Sequence, residues 1–110
     1  MVKALEDVRV LANTVGVMGP VCGMWLAELG AEVIKIDPTS GVWGTRRGKK
    51  SIMLNLKTEK GKKIFMELAK VSDVILENYV PGVMDRLGLG YEDIKKVNQE
   101  IIYCSISGFG

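Results

Sequence analysis

The chain has 110 residues, with 15 basic and 13 acidic side chains, a net charge of +2 and 47% hydrophobic residues. That length suits one domain, which buries roughly 60–70% of the surface of its extended chain, and the balanced charge argues against a nucleic-acid-binding face. Histidine is absent and the two cysteines, Cys22 and Cys104, are far apart, so a zinc site and a Ser-His-Asp or Cys-His nucleophile are both excluded within the chain.

Both cysteines read as buried, reduced thiols. Lys3, Glu6, Asp7 and Arg9 interrupt any leader-like start. The apolar stretch from Val15 to Ala27 is broken by Gly16, Gly19, Pro20 and Gly23. It falls short of the ~20 apolar residues of a membrane span. A cytoplasmic protein with no membrane partner is expected.

In chain order, Val8 to Ala12 predicts a strand, and Asn13 to Pro20 a loop. Pro20 suits a first helical turn, where its missing N–H costs nothing. Val21 to Leu29 is apolar on nearly every side, which predicts a buried helix capped by Gly30. Glu32 to Ile36 is the next strand, closed by Asp37-Pro38. Thr39 to Lys50 is a glycine-rich, cationic loop, and Ser51 to Leu56 is a weaker extended segment. Thr58 is a candidate N-cap with Glu59 in the first turn, and Ile64, Phe65, Leu68 and Ala69 form a helical stripe. Val74 to Leu76 reads as a strand, Pro81 to Leu87 as a short helix stopped by Gly88. Glu92 to Val97 predicts another helix with Ile94 and Val97 facing inward, before a last strand from Ile101 to Ile106. Alternating strands and helices predict an α/β domain with a mostly parallel sheet. A final strand and Gly-Phe-Gly loop lead toward a further element, so a partial chain is expected.

Ligands of open α/β sheets bind beyond the carboxyl ends of the strands. Here those ends carry Asn13 to Gly16, Asp37-Pro38, Asn78 to Gly82 and Ser105 to Gly110. Helix N-termini behind such loops favour phosphate, so a nucleotide-like ligand is reasonable, although such loops are also simply turn-rich. Gly16, Gly19 and Gly23 have the wrong spacing for a dinucleotide fingerprint, and Asp37 reads better as a solvated strand-end carboxylate or a cap. The basic run Arg46-Arg47-Gly48-Lys49-Lys50 attracts anions or is a solvated loop. Asn78, Tyr79 and Arg86 make the better constellation, combining an amide, a ring and a guanidinium able to clamp phosphate. As plain structural residues, Asn78 is a turn former and Tyr79 part of the core. No carboxylate stands in a convincing catalytic setting.

An ordered set of motifs runs through the chain: Val8-Arg-Val-Leu11, Gly19-Pro20, Leu29-Gly-Ala-Glu-Val-Ile-Lys-Ile36 and Arg47-Gly-Lys-Lys-Ser51. It continues with Leu54-Asn-Leu-Lys-Thr58, Asp73 to Gly90 and Ile102 to Gly110. Together these resemble the N-terminal part of a class III CoA-transferase of the CaiB/BaiF family. The resemblance implies a Rossmann-like three-layer domain, with residues 1–110 as the N-terminal part of a larger domain, and an interlocked homodimer in full-length members. It implies coenzyme A as the acyl carrier, with no metal, and acyl-CoA and carboxylic acids as substrates. Implied CoA contacts are Val17, Met18, Leu54, Asn55, Leu56, Lys57, Asn78, Tyr79, Val80 and Arg86, with Val17, Leu54, Asn78 and Arg86 clustered at one edge of the sheet. The family's nucleophile is an aspartate that forms a mixed anhydride with the acyl group. That aspartate lies downstream of the Ser-Gly-Phe-Gly stretch, so the resemblance implies no catalytic residue here.

Asn55 stands where the family usually has aspartate, and Pro38 where some members have a ligand-contacting arginine. The segment from Asp37 to Arg47 is shorter than in many transferases, which leaves the α-methylacyl-CoA racemase branch open. A stand-alone, non-catalytic CoA-binding or nucleotide-binding module is the third reading.

Overall fold

Five segments form the strands β1 (Arg9–Asn13), β2 (Glu32–Asp37), β3 (Lys49–Met53), β4 (Val74–Glu77) and β5 (Ile102–Ser105), with β1, β2 and β4 apolar and buried and the edge strand β3 beginning in the basic run at Lys49. The computed structural model describes residues 2–37 and 48–109. Its strands make one all-parallel sheet in the order β3-β2-β1-β4-β5. The helices are α1 (Met18–Glu28), α2 (Glu59–Lys70), α3 (Val83–Arg86) and α4 (Tyr91–Lys95). The chain leaves β1 toward β2 and returns from β3 to place β4 on the other side of β1. The strand order therefore reverses between β1 and β4, which opens a crevice at their carboxyl ends.

The period-2 alternation of the strands divides the core in two. Val10, Ala12, Val33 and Leu76 pack with Cys22, Leu26 and Ala27 on the α1 side. Leu11, Ile36 and Ile75 pack with Phe65, Ala69, Met84 and Ile94 on the side of α2, α3 and α4. This is an α/β domain with a parallel sheet, as the alternating pattern predicted, and helices cover both faces, giving the three layers that the family resemblance implied.

Helix α1 departs from the expectation of burial on all sides. Its buried residues are Gly19, Pro20 and Gly23, while Met18 (67% exposed), Trp25 (63%) and Leu29 face outward. The cause is close approach. A Cβ on Gly19 would lie 2.7 Å from the Asn78 side chain and 2.8 Å from that of Thr14. Only small residues let the first turn press on the strand ends, so Met18 and Trp25 turn out while Leu26 packs on the sheet further along the helix. The helix starts two residues before Pro20 and ends at Glu28, and Gly30 beyond its C-cap turns the chain at φ 108° and donates its N–H to the Ala27 carbonyl at 3.0 Å.

On α2, the Thr58 side chain accepts from the Gly61 N–H at 3.1 Å, as the N-cap expectation required. Phe65 and Ala69 are buried, but Ile64 is exposed. The third helix is shorter than expected because Gly82 takes a left-handed conformation at φ 92° and helical geometry begins only after it. Ile94 is fully buried, whereas Val97 lies past the end of α4 and is 37% exposed, contrary to the inward placement expected.

Candidate functional site

Strand ends and the turns after them build two clefts, one on each side of Tyr79. The first is about 390 Å³, walled by the turn Leu54, Asn55, Leu56 and Lys57 and closed by Asn13, Tyr79 and Leu87. This turn is held by its own polar groups. The Asn55 side chain accepts from the Lys57 N–H at 3.0 Å, and the Asn55 carbonyl accepts from the Thr58 hydroxyl at 2.8 Å. Leu54 is buried in the core and half-buried Leu56 packs against it, while Lys57 is exposed at the rim. The result is an apolar wall edged by an ammonium group, a shape suited to a ligand with an apolar body and anionic ends.

Tyr79 partitions the site. Its hydroxyl lies 3.4 Å from Asn13 Oδ1, and its backbone N–H donates to Glu77 Oε2 at 3.0 Å. Burial, then the Glu77 carboxylate, push its phenol pKa above the usual value, so it stays a neutral donor. On its other side is a cleft of about 280 Å³ lined by Val80, Glu77, Asp85, Tyr91, Tyr103 and other residues. Tyr91 and Tyr103 meet there edge to face, with centroids 6.2 Å apart. Burial raises the Tyr103 pKa strongly, helped by Glu77, Asp85 and Asp93.

At the topological switch, the Asn78 amide bridges to the loop after β1. Asn78 Oδ1 accepts from the Val15 N–H at 2.8 Å, and Nδ2 donates to the Val15 carbonyl at 2.6 Å. Thr14 is buried beside it, and its hydroxyl has no hydrogen-bond partner among the described residues. Val17 and Met18 are exposed where α1 begins, and no side chain among the described residues caps that helix. Arg86 is exposed and folds back on α3, where a Cβ on Gly82 would stand 2.9 Å from its Nη1.

The ten expected contact residues thus share the carboxyl end of the sheet but fall into groups. Leu54, Asn55, Leu56, Lys57 and Tyr79 line one cleft, and Val80 lines the other. Asn78 faces the β1–α1 loop, Val17 and Met18 sit at the helix start, and Arg86 packs on Gly82. The sequence reading missed Asn13, Ile36, Val83 and Leu87 as cleft walls. Their apolar members looked like core, and the strand-end position of Asn13 was the one available signal.

Asp37 corrects an expectation. It is not solvated: it is 2% exposed, accepts from the Ser51 hydroxyl and lies 3.4 Å from the buried Lys35 ammonium. Of the basic run, Lys49 donates to the Pro20 carbonyl at 2.8 Å and Lys50 to Glu32 at 3.0 Å. Burial, then the neighbouring Lys35 charge, hold the Lys49 pKa below its usual value. Pro38, Arg46 and Arg47 lie outside the described residues.

A parallel α/β sheet with clefts beyond the carboxyl ends of its strands has the layout in which open α/β domains bind their ligands. Residues 5–110 match the family model for CoA-transferase family III. The chain is 46% identical to human succinyl-CoA:glutarate CoA-transferase, covering 99% of this chain and 29% of that protein. It is 42% identical to formyl-CoA:oxalate CoA-transferase of Streptomyces avermitilis, covering 100% of this chain and 31% of that one. The crystal structure of a CaiB/BaiF family protein from Brucella suis superposes with a TM-score of 0.91 at 34% identity, over 98% of this chain and 34% of that one. The chain belongs to CoA-transferase family III and corresponds to the N-terminal region of such an enzyme. It spans about a third or less of the length of these relatives.

Proposed function

We propose that this chain is the coenzyme A-binding part of the large domain of an acyl-CoA transferase, an enzyme that moves CoA between carboxylic acids. The observation carrying this reading is the cleft of Leu54, Asn55, Leu56, Lys57 and Tyr79 beside the switch point. Its apolar wall suits the adenine or pantetheine portion, and Lys57 suits a phosphate at the rim. Val17 and Met18 would approach the ligand at the start of α1, with Asn78 holding the loop before them, and Val80 and Arg86 would complete the contacts around the strand end. In the whole enzyme an aspartate outside these residues would attack the acyl-CoA thioester carbonyl. The thiolate leaves and a mixed anhydride forms. The part of this chain in that reaction is to bind and orient the CoA. The named relatives are transferases, which favours transfer over racemisation.

The whole enzyme would act as a homodimer. The exposed apolar side chains of Trp25 on α1 and Leu29 just after it support burial of that end of the helix in an assembly.

Isothermal titration of the chain with CoA tests the binding role. Saturable binding that weakens in dephospho-CoA or in Lys57→Gln supports it, and no heat of binding refutes it.

A further inference from the structure

The last backbone pair between β1 and β4 is Asn13 with Glu77. Beyond it the strands diverge, and the Asn78 side chain spans the gap. A primary amide carries the same donor and acceptor as a peptide group. Asn78 uses both on one residue, taking the Val15 N–H at 2.8 Å and giving Nδ2–H to the Val15 carbonyl at 2.6 Å. It thus supplies one further rung of sheet-like pairing where the backbones no longer reach each other. The first turn of α1 closes over this rung, since Gly19 leaves less room than one methyl group beside the Asn78 amide.

We infer that Asn78 is a positioning residue: it holds the Val15 to Met18 loop, and so the start of α1, in the conformation that receives the ligand. Its effect on CoA passes through Val15. This rests on the CoA-binding reading, and two measurements separate the two claims.

The first is amide hydrogen exchange of the Val15 to Met18 segment without ligand, in the unmodified chain, Asn78→Ala and Asn78→Asp. The second is CoA affinity in the same three proteins. Asn78→Ala removes both bonds, whereas Asn78→Asp keeps an acceptor for the Val15 N–H and loses the donor. Loss of two such bonds predicts exchange faster by about ten-fold or more and CoA affinity weaker by about ten-fold in Asn78→Ala. Asn78→Asp sets an anionic oxygen against the Val15 carbonyl where the donor stood, so its loop exchange should be at least as fast as in Asn78→Ala and its CoA affinity at least as weak. Should Asn78→Ala fail to fold, Asn78→Asp against the unmodified chain carries the same comparison. Weakened binding with unchanged loop exchange would overturn the inference in favour of direct contact. Faster exchange with unchanged affinity would reduce Asn78 to a structural residue. Absence of CoA binding by the unmodified chain would instead overturn the CoA reading, and the exchange data would still decide whether Asn78 holds the loop.

Discussion

Gly61 lies so close to Asn55 that a Cβ at position 61 would stand 2.0 Å from the Asn55 carbonyl oxygen. The first turn of α2 and the cleft-forming turn before it are therefore one packed unit. Gly61→Ala must push the two apart. Alanine is the better helix former by about 1 kcal/mol, but overpacking against backbone costs about 1–3 kcal/mol. A net loss of stability is expected in urea unfolding, together with weaker CoA binding because the Leu54 to Lys57 wall moves.

Thr58 ties the same unit by a different bond. Its hydroxyl accepts from the Gly61 N–H and donates to the Asn55 carbonyl. Thr58→Ala should lower stability by about 1 kcal/mol, the usual worth of an N-cap. Thr58→Ser should keep most of it, and a shift of the urea midpoint at constant slope checks both.

Lys57 is exposed at the cleft rim and makes its test through charge alone. Lys57→Gln should weaken CoA binding by about two- to five-fold, in line with the modest worth of an exposed ion pair. Raising the salt concentration should shrink the difference between the two proteins. Titration calorimetry at low and high salt checks this.

Tyr79 and Tyr103 predict an alkaline limit. Burial raises both phenol pKa values, so the folded state keeps protons that an unfolded tyrosine gives up near pH ~10. Their contribution is complete below that pH and is lost as pH rises through the folded values. Stability should be level with respect to these groups to about pH 9 and fall above about pH 10. Tyr79→Phe and Tyr103→Phe should each flatten the fall, measured by urea unfolding across an alkaline series.

Most elements were legible because they rest on local signals. The Thr58 cap, Gly30 at the end of α1 and the apolar runs of β1, β2 and β4 each act within a few residues. What escaped depends on distant neighbours. The inward glycine face of α1 is set by Thr14 and Asn78, and the latter is 59 residues from Gly19 by subtraction of their numbers. The burial of Asp37 depends on Lys35 beneath it and Ser51 on the next strand. The site behaved the same way. Leu54 to Lys57 could be read as a contiguous turn, but the faces presented by Asn78 and Arg86 were fixed only by folding.

The most direct test is backbone NMR of the chain titrated with CoA. Shift changes are predicted at Leu54 to Lys57, at Val15 to Met18 and around Tyr79, all at the carboxyl end of the sheet. Residues at the opposite end, such as Asp7, Arg9 and Asp73, should stay still. Shifts confined to that opposite end, or none at saturating CoA, would contradict the account.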